Sequence, residues 1–370
     1  MISAQLEIQL IAVVVAVACA LPGVFLILRR MAMMSDAISH AILFGIVLAF
    51  FIVHDLASPL LILGAALTGV LTVAMVEGLN RTRLVREDAA IGLVFPLLFS
   101  AAVILISRYA GDVHLDTDAV LLGELAFAPF DRLYIGDTDI GPRALYVMGG
   151  ILLLNVLLIA LFYKELKLTA FDTGLAAALG FSPALIHYGL MTQVSLTAVG
   201  AFDAVGSILV VALMVGPPAT AYLLTDRLSR MLLLSAAFGA GNALAGYWIA
   251  HALDVNIAGS IAAFTGVSFT VTYLAAPGRG LIAVMRRRTE QRRHFAQAML
   301  TVHILNHQGS PEEQAECHLD AVYTHMNWDR DHAVRVIRRS RQAGLVTVRE
   351  DRVLELTPSG REMARKVMER

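Results

Sequence analysis

The sequence places an aspartate and a histidine four residues apart inside its second long apolar stretch, at Asp36 and His40. On a helix, residues four apart share one face, so a carboxylate and an imidazole would point the same way. Ionisable groups inside a membrane span are costly and usually face a cavity or a partner. This pair of donors suits Mn, Fe(II) or Zn, and two copies around a twofold axis would supply four ligands.

A second interpretation of the pair requires no metal. Asp36 would then cap the helix just inside the boundary marked by Arg29 and Arg30, and His40 would be a packing residue with its hydrogen bonds satisfied. Asp203 stands alone between two long apolar runs. It is either part of a tight outer turn or a further carboxylate of a transport pathway.

The elements that must position these residues are apolar segments long enough to cross a bilayer. The chain of 370 residues is 57% hydrophobic and 16% charged, which is too apolar for a soluble enzyme of this length. A spanning helix needs about 20 apolar residues, and lipid forbids unpaired backbone, so the spans are helices. The predicted spans are Gln5–Leu28, Met33–Val53, Pro59–Leu79, Ala89–Ile106, Leu145–Tyr163, Pro183–Phe202, Ala204–Leu224, Met231–Leu253 and Ile257–Ala276. We predict an all-α polytopic membrane protein with eight or nine transmembrane helices. The first span is the weakest of these predictions, and the count is eight without it.

Basic residues fall in every second gap between these spans, beginning with Arg29 and Arg30. The positive-inside bias places those gaps and the C-terminus in the cytoplasm. The segment of residues 107–143 would be external, with room for a short re-entrant or interfacial helix. Its alternating His114, Asp116 and Asp118 either gather cations or form a solvated acidic loop.

The chain divides by composition into a membrane part of residues 1–280, a basic linker of residues 281–294 and a soluble domain of residues 295–370. In the last part we predict helices, then two short strands, then a final helix, the order of a small α+β winged-helix domain. The predicted elements are helices Phe295–His307, Glu312–Met326 and Asp331–Gly344, strands Leu345–Arg349 and Arg352–Leu356, and a helix from Thr357.

The chain carries no signature of an ATPase. Its only lysines are Lys164, Lys167 and Lys366, and none follows the glycine that a Walker A loop requires. Cys19 and Cys317 would lie in different media, so neither a disulfide nor a zinc site is expected from them. We therefore predict that the chain is not an enzyme and that any ATP hydrolysis belongs to another chain.

Four collinear motifs span most of the membrane part: LRRMAMMSDAISHAILFGIVLAF from Leu28, REDAAIGLVF from Arg86, FDTGLAAALG from Phe171 and FDAVGSILVVALMVGPPATAYLLTDRLSR from Phe202. This arrangement resembles the ABC-3 family of manganese, zinc and iron permeases. One departure is Phe44, where relatives often carry proline, so the local path of the helix is left open.

The resemblance implies a permease subunit of an ATP-driven importer whose substrate is a divalent metal, with no permanently bound cofactor. It implies that Asp36 and His40 line the pathway and bind metal in transit. It also implies three partners besides membrane lipids: an ABC ATPase, an extracytoplasmic metal-binding protein and a second permease subunit, either another copy or a paralogue. The segment Phe171, Asp172, Thr173 and Gly174 resembles the helix that couples such permeases to the ATPase. A plain cytoplasmic connector is the alternative, and in either case Asp172 can cap a short helix.

The tail segment AVRVIRRSRQAGL from Ala333 resembles the recognition helix of metalloregulators, which would expose arginines typical of DNA contact. A tethered domain cannot scan a chromosome, so we favour a regulatory or assembly module, and nucleic acid is not an expected partner. The alternatives to an ABC permease are a membrane-tethered winged-helix metal sensor and a secondary transporter. The sensor hypothesis draws on scattered histidines without metal-site spacing: His294, His303, His307, His318 and His325.

Overall fold

The computed structural model describes residues 4–54, 58–109, 125–135 and 138–369. The chain forms two compact units, Met1–Arg279 and Gly280–Arg370. The helices of the first unit, in chain order, are α1 (Ala4–Leu28), α2 (Ala32–Val53), α3 (Pro59–Arg81), α4 (Glu87–Tyr109), α5 (Arg143–Leu161), α6 (Tyr163–Phe171), α7 (Thr173–Ala178), α8 (Pro183–Val205), α9 (Ser207–Leu224), α10 (Leu228–Leu253) and α11 (Ile257–Ala275).

Nine of these described helices are long and apolar enough to cross a membrane, all except α6 and α7. Each corresponds to a predicted span with ends that differ by a few residues, so the prediction of a polytopic, mostly helical membrane protein is confirmed. α1 is apolar on all sides and packs against α5, α8, α9 and α10. A helix without a polar face is expected at the centre of a bundle, and α1 lies there.

Glycines allow several of these helices to approach closely. A Cβ atom at Gly23 of α1 would collide with the backbone carbonyl of Met214 on α9. Gly45 of α2 and Gly64 of α3 face each other in the same way, each against the backbone of the other helix. Small residues are the usual device for tight helix contacts in lipid, where burial of apolar surface gives little driving force.

A buried amide cluster joins three spans. The Asn155 side-chain nitrogen on α5 donates to the Ala18 carbonyl of α1 and to the Thr197 hydroxyl of α8, both at 2.9 Å. The Gln193 side-chain nitrogen on α8 donates to the Asn155 amide oxygen at 3.1 Å. Each of these polar groups thereby finds a protein partner in a region without water, which fixes α5 and α8 against α1.

Replacing Asn155 with alanine is expected to destabilise the bundle by about 1–2 kcal/mol, because it removes interhelical hydrogen bonds and leaves the Gln193 amide short of an acceptor. The matched control is Thr192→Ala, since within the described residues the exposed Thr192 hydroxyl donates to a carbonyl of its own helix. Thermal unfolding of the purified chain in detergent measures both. Equal midpoints for the two variants would contradict this role for Asn155.

A β hairpin lies between α4 and α5, in the described part of the segment where the sequence left room for a short re-entrant or interfacial helix. Strands β1 (Arg132–Ile135) and β2 (Thr138–Pro142) pair antiparallel, preceded by a 3₁₀ turn at Ala128–Phe130. Arg132 bonds the hairpin to the start of α1 through the Glu7 carboxylate at 3.2 Å. The described part of this segment is therefore a hairpin tied to the bundle. Its predicted cation-gathering residues His114, Asp116 and Asp118 lie outside the described residues.

The second unit contains five helices and a two-stranded antiparallel sheet: α12 (Leu281–His307), α13 (Glu313–Glu316), α14 (Val322–His325), α15 (Arg330–Gln342), β3 (Val346–Val348), β4 (Leu354–Leu356) and α16 (Pro358–Met368). Residues 281–294, expected as a linker, form the first half of α12. The second unit has a core of its own, separate from the core of the bundle. Its fully buried residues include Leu300, Ile304, Cys317, Val322 and Leu354.

The predicted helix Glu312–Met326 is wrong in its middle. His318 forms a β-bridge with Val353, and the Cys317 carbonyl accepts a hydrogen bond of 2.9 Å from the Leu354 N–H. The backbone between α13 and α14 is thus in an extended conformation, and it adds one more backbone pairing to the hairpin of β3 and β4. Tertiary pairing has overridden the local helix preference of this stretch.

Candidate functional site

Asp36 and His40 lie on one face of α2. The His40 Nε2 atom is 3.4 Å from the Asp36 Oδ1 atom, and both side chains are about one third exposed, at 28% and 31%. α2 begins at Ala32 with Met31 at its N-cap, so Asp36 lies in the second turn and does not cap the helix. The capping interpretation of Asp36 is therefore wrong, and its carboxylate is available for another role.

The surroundings of the pair are aromatic. The His40 ring lies against Phe95 and Phe99 of α4, with ring centroids 5.6 Å and 6.3 Å away. These contacts hold the imidazole beside α4 while its edge and the carboxylate stay accessible. Within the described part of this unit, no third histidine, cysteine or carboxylate joins the pair as a metal cluster. The described part of one chain thus offers two donors at this place, fewer than a transition metal requires.

A polar cavity of ≈ 310 Å³ opens next to the first turn of α2 and was missed by the sequence analysis. Arg29, Glu77, Glu87 and His187 line it. The Glu77 carboxylate on α3 accepts a hydrogen bond of 2.5 Å from the hydroxyl of Tyr188 on α8. The sequence signal that could have indicated this cavity is Glu77, a carboxylate inside an apolar run, since such residues usually mark a cavity or a pathway.

Two polar atoms of this cavity are buried without a hydrogen-bond partner in the described part of the chain, Arg29 Nη1 and Glu87 Oε1. Burial lowers the pKa of the Arg29 guanidinium, and the charge of Glu77 opposes that shift. The cavity is therefore a place where ionisable groups from α3, α4 and α8 converge, less than two helical turns from Asp36.

Asp203 lies in the last turn of α8. It is therefore not part of the turn between α8 and α9, where one of its two interpretations placed it. The turn falls at Gly206, whose φ of 78° suits glycine. Gly69 of α3 packs against both Ile38 of α2 and Ser195 of α8, which puts those two residues at one level. Along α8, Asp203 follows Ser195 by eight residues, and along α2, Asp36 precedes Ile38 by two. For helices that run in the same direction, this separates Asp203 from Asp36 by roughly 15 Å along the helix axes, at 1.5 Å per residue. The structure thus does not bring Asp203 to the pair.

The segment Phe171 to Gly174 forms the joint between α6 and α7. Asp172 caps α7, as predicted, because its Oδ1 atom accepts a hydrogen bond of 2.8 Å from the Leu175 N–H. Thr173 and Gly174 form the first turn of this six-residue helix. The segment therefore holds a short, capped helix between two spans.

α7 and the residues on either side of it present apolar side chains to the outside of the unit. Phe171, Leu175 and Leu179 are 62%, 48% and 60% exposed, while Ala176 is fully buried. Exposed apolar residues grouped on a short connecting helix are typical of a surface that another protein covers.

Comparison with known proteins identifies the fold. The profile described as the ABC 3 transport family matches residues 3–276. The chain belongs to that family. In ABC importers of this kind the ATPase is a separate chain, in agreement with the missing Walker A loop, so this membrane subunit is a permease and not an enzyme.

Two curated relatives are similar to this chain over different lengths. The zinc transport system membrane protein TroD of Treponema pallidum is 46% identical over 359 residues, 97% of each chain. The manganese transport system membrane protein MntD of Bacillus subtilis is 48% identical over 270 residues, 73% of this chain and 91% of its own. Most of the second unit, outside the family profile, therefore has a counterpart in TroD.

A solved structure supports the same assignment of the bundle. PsaBC from Streptococcus pneumoniae in complex with Fab matches with a TM-score of 0.61 and 30% identity. The match covers 74% of this chain and 92% of that one. The helical bundle is therefore an ABC 3 permease fold.

Proposed function

We propose that this ABC 3 permease carries a divalent transition metal, Mn, Fe or Zn, across the bacterial inner membrane as part of an ATP-driven importer. The observation that carries the proposal is the Asp36–His40 pair, two metal donors 3.4 Å apart on one face of a spanning helix. A carboxylate and an imidazole inside lipid are expensive unless they serve a pathway. TroD is a zinc transport system membrane protein and MntD a manganese transport system membrane protein, in agreement with a metal substrate.

The pair requires a second permease subunit to complete its coordination. Its side chains are partly exposed in the single chain and supply two donors, so a facing copy or paralogue with the same residues would raise the number to four. Homodimers and paralogous heterodimers both satisfy this requirement. Metal is the substrate in either case, and the chain needs no resident cofactor.

We assign the end of the bundle that carries Arg29 and Arg30 to the cytoplasm, following the positive-inside bias. The ATPase would dock there on α7, through Phe171, Asp172, Thr173 and Gly174. The cavity lined by Glu77 and Glu87 would then receive metal released from the pair. The opposite end, with the hairpin and Asp203, would meet an extracytoplasmic metal-binding protein, and Asp203 is a second candidate contact for the metal there.

We interpret the second unit as a cytoplasmic winged-helix domain of residues 295–370, joined to the permease domain of residues 1–280 through the basic stretch of residues 281–294. Its order of helices followed by an antiparallel hairpin supports this interpretation. Arg335, Arg338 and Arg341 of α15 are exposed, with Arg339 half-buried. A domain tethered to nine candidate spans is poorly suited to search DNA, so we assign it a regulatory or assembly role.

The proposed function is tested by metal uptake into proteoliposomes. With the cognate ATPase, binding protein and ATP present, radioactive manganese, iron or zinc is expected to accumulate, and one of the three should dominate. Replacing the Walker A lysine of the ATPase should stop the uptake, because only the partner hydrolyses ATP. Equal uptake by this chain alone would instead make it a secondary transporter. A chain that moves no metal under any condition, while regulating transcription, would be a tethered sensor.

A further inference from the structure

The second unit brings together metal-binding side chains that the spacing of its histidines did not reveal. His303 and His307 are four apart on α12 and therefore share a face, with ring centroids 4.8 Å apart. Glu316, at the end of α13, faces them: its Oε2 atom is 3.7 Å from the His303 Nε2 atom. One donor atom from each of these three residues lies within 4.8 Å of the others.

A further donor contacts Glu316 from outside this group of three. The His325 Nδ1 atom, at the end of α14, is 3.0 Å from the Glu316 Oε2 atom. Histidines of two other helices, α12 and α14, therefore meet the carboxylate of α13. Sequence spacing could not indicate this, because Glu316 and His325 reach the histidines of α12 only through the fold of the second unit.

The backbone that presents Glu316 is held in place. The next residue, Cys317, is fully buried, and its carbonyl accepts a hydrogen bond from the Leu354 N–H of β4. Its own N–H donates to the Glu313 carbonyl at 2.9 Å. A donor fixed by both backbone hydrogen bonds and core packing is the kind of support that a metal site needs.

The charge balance at Glu316 favours a cation. The carboxylate is 21% exposed, and within the described residues its ion-pair partners are His303 and His325, with no lysine or arginine among them. A divalent ion coordinated by these groups would compensate the charge of the partly buried carboxylate. Tetrahedral metal–nitrogen and metal–oxygen bonds of about 2.0–2.2 Å put neighbouring ligand atoms about 3.3–3.6 Å apart. The Glu316 Oε2 atom is 3.7 Å from the His303 Nε2 atom and 3.0 Å from the His325 Nδ1 atom, so small side-chain rotations would bring these atoms to such spacings.

We propose that His303, His307 and Glu316, with His325 as fourth ligand, form a metal site in the second unit. Two or three imidazoles with one carboxylate suit Zn²⁺ better than Mn²⁺, because imidazole binds Zn²⁺ well and Mn²⁺ prefers oxygen. The site ties α12, α13 and α14 together when occupied. If the proposed function holds, occupation of this site reports metal on the cytoplasmic side and reduces further uptake.

The test is zinc binding by the full-length chain in detergent, in an Asp36→Ala/His40→Ala background that removes the pathway pair. This parent is expected to retain one zinc ion per chain after desalting, measured by elemental analysis. His303→Ala/His307→Ala is expected to weaken that binding by at least about tenfold, since loss of even supporting groups costs that much. The matched control is His294→Ala, an exposed histidine on the same helix, which should bind like the parent.

His307→Gln, which keeps the size of the side chain, separates ligand loss from misfolding. It should weaken zinc binding while the circular dichroism and unfolding midpoint stay at parent values. Equal zinc content in the parent and in His303→Ala/His307→Ala would overturn the site, as would an equal loss in His294→Ala. Because no transport is measured, failure of the proposed function leaves this result intact. The regulatory role is tested in proteoliposomes that keep the native Asp36 and His40. Zinc added on the side of the membrane that carries the second unit should slow uptake by the native chain and not by His303→Ala/His307→Ala. Equal slowing of both would refute the regulatory role.

Discussion

Replacing Asp36 or His40 with alanine is expected to abolish metal uptake, lowering it by about 100-fold or more while the chain still inserts and folds. Loss of groups that merely orient metal ligands lowers metal affinity or activity by about 10–100-fold, so loss of a ligand should lower it at least as much. Folding should survive, because both side chains are partly exposed and neither caps α2. Uptake of radioactive metal at matched expression, with the ATPase and binding protein present, measures the effect.

The control is Met33→Ala on the same helix, whose side chain is exposed and carries no metal donor of comparable strength. It should transport at close to the native rate. Asp36→Asn adds a finer test, since it keeps the size of the carboxylate and removes its charge, and it should lose most of the uptake. Native uptake by either alanine variant would mean that the metal takes another path, with the cavity around Glu77 the first place to look.

The sequence was sufficient for the bundle because its signals are long and strong. Each apolar run exceeds the length of a bilayer crossing, and lipid leaves an unpaired backbone no alternative to a helix. The Asp36–His40 pair was equally visible, since helical spacing alone puts the two side chains on one face. The cap at Asp172 was predictable for the same reason, as it depends only on residues three apart along the chain.

What the sequence could not provide depends on contacts between distant residues. The hydrogen bond from Tyr188 to Glu77 joins α8 to α3 and requires the packing of the bundle to be known. The same holds for Glu316, which meets His303 only because Cys317 pairs with β4. The predicted helix through His318 failed for that reason too: a β-bridge to Val353 outweighs the local preference.

The two sets of metal donors differ in a way that fits different tasks. In the proposed importer the pair in α2 supplies only two of the four donors, so its site is complete only while a second permease subunit faces it, and metal can leave when the two subunits part. The cluster in the second unit offers up to four donors from one chain, which favours retention over release. A permease with both would pass metal through one and hold it at the other, so mutations at the two places should have separable effects.

Ala176→Pro in α7 is expected to uncouple the permease from its ATPase, with substrate-stimulated ATP hydrolysis and uptake both reduced by about 100-fold. The Ala176 N–H donates to the Asp172 carbonyl at 3.1 Å, and proline removes that donor and clashes with the preceding turn, at a cost of about 3 kcal/mol. At 1.4 kcal/mol per tenfold, that cost leaves α7 unfolded in most molecules, since a six-residue helix has little stability of its own.

Thr173→Pro is the matched control, because it places the same residue in the same helix at a position that accepts it. Thr173 is the first residue of α7, where proline is favoured, and Asp172 before it has the extended backbone that precedes proline, with φ −150° and ψ 98°. Thr173→Pro should keep α7, co-purify with the ATPase and retain most of the stimulated hydrolysis. Metal binding at Asp36 and His40 should stay native in both variants, since neither substitution touches α2. If Ala176→Pro co-purifies with the ATPase and hydrolyses ATP at the native stimulated rate, then α7 is a plain connector and the ATPase docks elsewhere.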